Sequence, residues 1–235
     1  MDVREKILII EDDKKICNYM RTALTANDYS VICASRAMEG LDMIRSHRPD
    51  LIILDLGLPD ADGMLIIKEV RRKSTTPIIV VSARTDESDK VAALDAGADD
   101  YITKPFGKAE LAARVRAALR FRRIGGDRAL SDGSIYRCGG LYIDFGGRTV
   151  SRDGKSIRLT RIEYKILETL CEHSGKVITY DYMLKHIWGP YAKNDNKILR
   201  VNITNIRRKL EPDTKTPRYI FTEPGIGYRM AENEL

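Results

Sequence analysis

The sequence predicts an α/β domain built on a five-stranded parallel sheet, followed by a smaller domain that mixes helices and strands. Three observations predict this: apolar runs alternate with helical patterns five times, a Gly-rich polar segment interrupts the chain, and short strand patterns with amphipathic helices follow it. With 235 residues, the chain is long enough for two domains that each bury a core. We therefore expect domains at residues 1–124 and 137–235, joined by a flexible linker at 125–136.

The first domain is expected to alternate strand and helix. An apolar run of four or five residues between helical patterns is typical of a strand that is buried on both faces. Right-handed crossovers of this length give an open, doubly wound, flavodoxin-like sheet with strand order 2-1-3-4-5. The predicted strands lie near residues 6–10, 29–33, 51–54, 78–82 and 100–103, and the predicted helices near 14–26, 36–46, 63–72, 86–95 and 108–123.

Acidic, hydroxyl and amine side chains stand at the carboxyl ends of four of these strands. Glu11 and Asp12 follow the first strand, Asp55 the third, Ser82 the fourth and Lys104 the fifth. Ligands of such sheets bind beyond the carboxyl ends of the strands, so we expect these side chains to meet. Three carboxylates this close need a cation between them, and Mg²⁺ suits oxygen ligands. The pattern predicts a metal and phosphoryl site with Asp55 as the nucleophile.

A second interpretation applies to each acid taken alone. A carboxylate just after a strand often caps the next helix, and Asp12 and Asp13 could be such N-caps. The occurrence of all these groups at the ends of strands favours the site instead. The Lys104–Pro105 peptide could be cis, which would aim the lysine across the sheet.

Residues 5–123 resemble the receiver domain of bacterial two-component response regulators. The resemblance is carried by Glu11 and Asp12, by Asp55, by Ser82 and by the segment 97–106. It implies that Asp55 accepts a phosphoryl group from a sensor histidine kinase. It further implies that Lys104 contacts the phosphoryl group and that Ser82 and Tyr101 form a conformational switch. The implied ligands of Mg²⁺ are Glu11, Asp12, Asp55 and the backbone carbonyl of Gly57.

The same resemblance implies a homodimer that forms on phosphorylation. Its interface would be the face made by the fourth helix, the fifth strand and the fifth helix, with ion pairs between subunits. Exposed ion pairs contribute only about 0–1 kcal/mol each, so apolar contacts must add to them. The alternative is that these charges are ordinary solvated side chains. The candidate residues are Lys90, Asp99, Asp100, Glu110, Arg114 and Arg116.

The second domain begins with short strand patterns at 141–145, 148–150 and 155–159, with Asp153-Gly154 as a hairpin signal. A helix starting at Thr160 has Glu163 three positions later, which is a capping box. A second helix follows Thr179, a third covers about 196–210, and the segment 218–230 has the pattern of a hairpin.

The third of these helices has one apolar and one polar face. Leu199, Ile203, Ile206 and Leu210 are spaced for a buried stripe. Residues 125–235 hold 19 basic and 14 acidic side chains, so this part of the chain has a positive net charge. A basic helix fits the major groove of DNA, which suggests that this helix binds DNA. The alternative is that its basic side chains are simply solvated. The opposite face carries Lys197, Arg200, Val201, Thr204, Asn205, Arg207 and Arg208.

Residues 137–230 resemble the winged-helix effector domain of the OmpR/PhoB family. The segments 207–210 and 225–229 carry the resemblance. It implies binding to promoter DNA through the third helix, with Thr222 or Arg229 of the wing reaching phosphate, and RNA polymerase as a further partner. Glu223 stands where some relatives have a basic residue, which weakens the expectation of a contact by the wing tip.

Composition limits the remaining function classes. No apolar stretch is long enough to span a membrane, the first residues lack the apolar region of a signal peptide, and four scattered cysteines suggest a reduced, cytoplasmic protein without zinc. One rival function is a phosphatase of the haloacid-dehalogenase type, but that class needs an acid at the position of Gly57. The other rival is a DNA-binding dimer whose receiver no longer accepts phosphate.

Overall fold

The computed structural model describes residues 4–123, 135–190, 192 and 196–234. The chain divides into two compact units, Met1–Leu119 and Arg120–Leu235. Most of the expected linker, residues 125–136, lies outside the described residues, and Ile135 and Tyr136 already belong to a strand. In the described parts of the chain, no helix has both the length and the hydropathy required to cross a membrane.

The first unit has the predicted doubly wound architecture. Its five strands form one parallel sheet in the order 2-1-3-4-5, as expected. The strands are β1 (Lys6–Ile10), β2 (Ser30–Ala34), β3 (Leu51–Leu54), β4 (Ile78–Ser82) and β5 (Asp100–Thr103). The helices are α1 (Lys14–Thr25), α2 (Ala37–His47), α3 (Gly63–Lys73), α4 (Glu87–Asp95) and α5 (Lys108–Arg123).

The central strands are buried on both faces, which explains their continuous apolar runs. β1 pairs with β3 so that Ile10 lies beside Leu54. This register places the residues that follow the two strands at the same edge of the sheet. Two of the helices that leave this edge begin at aspartate caps: Asp13 accepts hydrogen bonds at the start of α1, and Asp62 does so at the start of α3.

In its described residues, the second unit combines two antiparallel sheets with three helices. One sheet has the order β6-β7-β8-β9 and the other the order β10-β12-β11. The strands are β6 (Ile135–Cys138), β7 (Leu141–Asp144), β8 (Thr149–Arg152), β9 (Lys155–Ser156), β10 (Val177–Thr179), β11 (Ile220–Glu223) and β12 (Gly227–Met230). The helices are α6 (Arg161–Glu172), α7 (Tyr180–Trp188) and α8 (Lys197–Leu210).

The predicted capping box is present and also anchors α8. Thr160 accepts a hydrogen bond from the backbone of Glu163, whose carboxylate accepts one from the backbone of Thr160. The same carboxylate binds Lys209 of α8, with Nζ–O distances of 2.6 and 2.8 Å. The capping glutamate therefore joins the start of α6 to the end of α8.

The hairpin β11–β12 is held against the rest of the unit by the short strand β10. A Cβ atom added at Gly227 would overlap the backbone of Ile178 in β10, so only glycine allows this approach. The residues after Thr179 form α7, as predicted, with Trp188 buried at its end. The hairpin therefore lies in a three-stranded sheet rather than standing alone.

Candidate functional site

Three carboxylates meet at the carboxyl edge of the parallel sheet. Glu11, Asp12 and Asp55 each offer an oxygen, and these oxygens all lie within 4.8 Å of one another. The Asp55 backbone N–H donates to the carbonyl of Ile10 at 2.9 Å, which fixes the two segments side by side. Glu11 and Asp55 are buried, whereas Asp12 is exposed. The structure thus brings together the acids that follow β1 and β3.

Lys104 connects two of these carboxylates from the end of β5. Its Nζ donates to Asp55 at 2.7 Å and to Glu11 at 2.8 Å, and the Lys104–Pro105 peptide is cis. Burial alone lowers the pKa of Lys104, but the hydrogen bonds and charges of its two partners outweigh burial and raise it. Burial raises the pKa of Glu11 to about 7, and the charge of Asp55 adds to this effect while the Lys104 hydrogen bond opposes it.

The composition of this cluster fits a hard divalent cation. All three acids supply oxygen donors, and Lys104 offsets one of their three formal negative charges. Two negative charges remain, and one Mg²⁺ would neutralise both. The exposure of Asp12 leaves one side of the cluster open to water, and Mg²⁺ usually keeps several water ligands.

Ser82 and Tyr101 lie next to each other beside the carboxylate cluster. Ser82 is buried at the end of β4, and its Oγ accepts a hydrogen bond from the backbone N–H of Arg84 at 3.3 Å. The Tyr101 hydroxyl donates to the backbone carbonyl of Arg84 at 2.9 Å, and burial raises its pKa. The Arg84 side chain binds Asp62 at 3.1 Å. One residue of the β4–α4 loop therefore contacts both predicted switch residues and the cap of α3.

Asp62 and Gly63 close the loop behind Asp55, although neither was predicted to belong to the site. Asp62 forms a backbone bridge with Gly57 and caps α3. A Cβ atom on Gly63 would lie 2.5 Å from the carbonyl oxygen of Asp55, so the helix can approach this closely only with glycine. An aspartate directly before a helical pattern is an N-cap signal that could have identified Asp62.

Several of the residues expected at a dimer interface are paired within one chain. Arg114 donates to both carboxylate oxygens of Asp100, at 2.8 and 3.1 Å, and to Glu110 at 3.2 Å. Asp100 is buried, and burial raises its pKa against the lowering effect of Arg114. Lys90 lies half-buried on α4. An interface at this face would therefore form around an Asp100–Arg114 pair that is already satisfied.

Asp99 and Arg116, two other candidates for the dimer interface, contact residues of their own chain. Asp99 is 1% exposed and accepts hydrogen bonds from Arg71 at 2.7 Å and from the backbone of Ile78 at 2.8 Å. Its carboxylate holds α3 to β4 inside the domain, so we remove Asp99 from the proposed interface. Arg116 is exposed and contacts Asn27, which follows α1, at 3.4 Å.

The polar face of α8 is exposed in a single stripe. Lys197, Arg200, Thr204 and Arg208 are exposed and follow one another at intervals of three or four residues. Arg200 lies over the ring of Tyr180, 6.0 Å from its centroid. Val201 and Asn205 are half-buried at the margin of the stripe. The residues expected on the apolar face are all buried: Leu199, Ile203, Ile206 and Leu210.

Arg207 and Arg229 have partners within the domain. The guanidinium of Arg207 donates to the carbonyl of Ile220 at 2.8 and 3.2 Å and to the Thr222 hydroxyl at 2.8 Å. Arg229 binds Glu223 at 3.1 Å and covers the ring of Phe221. Arg207 therefore fastens α8 to the hairpin through its Nε and Nη2 atoms.

Comparison with known proteins agrees with this architecture. The family model described as "Response regulator receiver domain" matches residues 7–116, and the model "Transcriptional regulatory protein, C terminal" matches residues 154–230. The KDP operon transcriptional regulatory protein KdpE of Escherichia coli K12 is 43% identical over 224 residues, which cover 95% of this chain and 98% of KdpE. The chain belongs to the OmpR/PhoB family of two-component response regulators.

This response regulator has further relatives of known sequence and structure. KdpE of Mycobacterium tuberculosis H37Rv is 42% identical over 224 residues, again covering 95% of this chain and 98% of its own. The response regulator DrrB of Thermotoga maritima, an OmpR/PhoB homolog, matches with a TM-score of 0.53 and 30% identity over 98% of this chain and all of DrrB. The structure of a RitR mutant matches with a TM-score of 0.77 and 27% identity over 97% of this chain and all of the RitR chain.

Proposed function

We propose that a sensor histidine kinase transfers a phosphoryl group to Asp55, and that this transfer controls binding of the chain to promoter DNA. The observation that carries the proposal is the grouping of Asp55 with Glu11 and Asp12 inside 4.8 Å, with Lys104 bound to two of the three. This arrangement combines a carboxylate nucleophile with positive charge directed at its oxygen.

In the proposed reaction, a carboxylate oxygen of Asp55 forms a P–O bond while the P–N bond to the kinase histidine breaks. The leaving imidazole nitrogen takes up a proton. Lys104 already donates to Asp55, so its ammonium is positioned to donate to a phosphoryl oxygen after transfer. The hydroxyl of Ser82 donates to a second phosphoryl oxygen once it turns from its contact with Arg84.

The resident cation of this reaction is Mg²⁺ in our proposal. Glu11, Asp12 and Asp55, with the backbone carbonyl of Gly57, would hold it. When bound, Mg²⁺ supplies positive charge that offsets the mutual repulsion of the carboxylates and the incoming phosphate.

Phosphorylation is proposed to act on α4, β5 and α5 through the switch residues. The phosphoryl group adds about −1.5 to −2 of charge beside Ser82 and Tyr101. Movement of these residues alters the loop at Arg84, which contacts both. A homodimer would form through the α4–β5–α5 face, with Lys90, Glu110, Arg116 and the Asp100–Arg114 pair at or near the contact.

The DNA contacts are proposed to come from the exposed stripe of α8. Arg200 and Thr204 would contact base edges, and Lys197 and Arg208 would contact phosphates. Val201 and Asn205 would contact bases from the margin of the stripe. Thr222 and Arg229 would contribute from the hairpin, and RNA polymerase would be a further partner on the promoter.

We further propose that the target genes encode potassium transport, as the names of the KdpE relatives indicate. Residues 51–60, 82–90, 93–101 and 188–190 resemble that regulator in sequence. The test is binding of the phosphorylated chain to DNA upstream of the potassium-pump genes of its own genome. A scrambled fragment of equal length is the control, and equal affinity for both fragments would refute this assignment.

The phosphorylation step is tested by incubating the full chain with acetyl phosphate and Mg²⁺ and measuring its intact mass. We expect wild type to gain one phosphoryl group and Asp55→Asn to gain none. Asp42→Asn, which changes an exposed aspartate of α2, is the matched control and should behave like wild type. Continuous turnover of phosphate monoesters would instead support the rival phosphatase function.

A further inference from the structure

Two tyrosine rings of the second unit lie against each other between α7 and the hairpin. Tyr180 is the first residue of α7 and Tyr228 belongs to β12; their ring centroids are 5.4 Å apart and their planes meet at 76°. Tyr228 is 4% exposed, and the half-buried Tyr180 packs against the same core. The backbone N–H of Tyr180 donates to the carbonyl of Ile226 at 3.0 Å. The place of the Tyr180 ring is therefore fixed by the core and by the hairpin loop.

Each ring of this pair carries an arginine of α8. The guanidinium of Arg200 lies over Tyr180, 6.0 Å from its centroid, and that of Arg207 lies over Tyr228 at 5.8 Å. The two arginines are about two helical turns apart and so share one side of α8. The face of an aromatic ring is electron-rich and attracts a cation. Arg207 also donates to the carbonyl of Ile220, whereas the exposed Arg200 guanidinium has no hydrogen bond or ion pair within the described residues.

The contact with Tyr180 limits the motion of an arginine that is otherwise exposed. An exposed arginine samples many rotamers, and a paired contact with a base edge requires one of them. A phosphate contact is less demanding, because phosphates lie along the whole DNA backbone. A ring that restricts the guanidinium in advance therefore lowers the entropy cost of the base contact more than that of a phosphate contact.

We propose that Tyr180 is a positioning residue for sequence recognition, which holds the Arg200 guanidinium in place before DNA binds. The inference rests on the proposed contact of Arg200 with a base edge. The base that suits a guanidinium is guanine, which offers the acceptors O6 and N7 in the major groove. Tyr180 contributes to sequence preference through Arg200 and not through a contact of its own with DNA. Its ring carries this role, so a phenylalanine should replace it.

The test begins with the DNA sequence that full-length wild type selects from a random library, with acetyl phosphate and Mg²⁺ present throughout. Affinity is measured for this sequence and for a scrambled fragment of equal length, and the ratio of the two affinities is the sequence preference. We expect Tyr180→Leu to lower this ratio about threefold and Tyr180→Phe to retain it. Arg200→Ala should lower the ratio about tenfold, and adding Tyr180→Leu to it should have no further effect.

A neighbouring tyrosine supplies the matched control. Tyr182 is also on α7, but its ring stacks on His186 with 5.5 Å between centroids. Tyr182→Leu should therefore retain the wild-type ratio. The slope of log affinity against log salt should be the same in Tyr180→Leu and in wild type, because the number of phosphate contacts is unchanged.

The outcomes separate this inference from the proposed DNA contact. A wild-type ratio in Tyr180→Leu, with a reduced ratio in Arg200→Ala, would overturn the inference and leave the base contact of Arg200 intact. A wild-type ratio in Arg200→Ala would refute the base contact and the inference with it. If Tyr180→Phe lost as much as Tyr180→Leu, or if Tyr180→Leu cost the same in the Arg200→Ala background, Tyr180 would act by another route and the inference would be wrong.

A second measurement needs no variant and so does not depend on the folding of one. In the NMR spectrum of the DNA-free wild type, the ring current of Tyr180 should shift the δ-methylene protons of Arg200 upfield of their position in the urea-unfolded chain. Arg200 signals at the unfolded position would show that the ring does not hold the guanidinium, and would overturn the inference.

Discussion

At the scale of single residues, charge balance decides the properties of the carboxylate cluster. Lys104 is the cation that contacts two of the acids, and it offsets only part of their charge. Asp12 contributes a third carboxylate from the exposed side. The metal-free receiver is therefore under electrostatic strain, and either a divalent cation or the loss of one acid should relieve it.

We predict that Asp12→Asn stabilises the metal-free protein and abolishes its stabilisation by Mg²⁺. Two like charges at 4.8 Å repel by about 1 kcal/mol in a water-like medium, so the gain should be of this order. The measurement is thermal unfolding with and without millimolar Mg²⁺. Asp42→Asn is the control, and it should respond to Mg²⁺ as wild type does. A variant at Asp12 that still gains stability from Mg²⁺ would argue against the metal site.

A second residue-scale prediction separates Arg207 from Arg208. Arg207 is bound to the hairpin, whereas Arg208 is exposed on the α8 stripe. Arg207→Ala should weaken DNA binding by loosening the hairpin, with an unchanged salt dependence of affinity. Arg208→Ala should reduce the slope of log affinity against log salt by about 1, as expected for a lost phosphate contact. Binding titrations at several salt concentrations measure both, and a reduced slope for Arg207→Ala would show that it contacts phosphate.

At the scale of elements, a close approach of backbone segments fixes the start of α3 behind Asp55. The Cβ atom of Gly63→Ala would lie 2.5 Å from the Asp55 carbonyl, so the helix or the loop must move. We predict a loss of about 1–3 kcal/mol in the free energy of unfolding, measured in urea. Gly107→Ala, just before α5, has no atom within 4 Å of the added Cβ and should cost much less. Equal losses in the two variants would refute the steric argument.

The helices and strands that could be predicted from the sequence are those marked by a local pattern, such as an apolar run or a capping box. The strands β1, β3 and β4 were predictable because each is an apolar run that is almost wholly buried, and α6 was predictable because of its capping box. The strands β6 and β10 were missed. β10 has three residues with only the middle one buried, and it exists because it pairs with β12, some fifty residues away along the chain.

The same distinction applies to side chains. The meeting of Glu11, Asp55 and Lys104 could be predicted because parallel strands bring their ends to one edge. The partners of Asp99 and Arg207 could not, because Arg71 and the carbonyl of Ile220 belong to other elements whose side-chain directions no local pattern specifies. Consequently both residues were assigned to outer surfaces, while the structure gives each an internal partner.

At the scale of the whole molecule, one chain carries a receiver domain and a DNA-binding domain. The proposed link is dimerisation, which raises the effective concentration of the second α8 once the first is bound to DNA. Such a link requires no new contact between α8 and DNA, only a change in the number of subunits that bind together. Phosphorylation should therefore alter affinity for paired sites far more than affinity for a single half-site.

The most direct measurement is the affinity of the full chain for DNA upstream of its potassium-transport genes, with and without acetyl phosphate and Mg²⁺, in wild type and in Asp55→Asn. We expect phosphorylation to tighten binding of wild type by on the order of tenfold or more and to leave Asp55→Asn unchanged. This expectation would be contradicted if wild type, with its phosphoryl group verified by mass, bound this DNA no more tightly than Asp55→Asn.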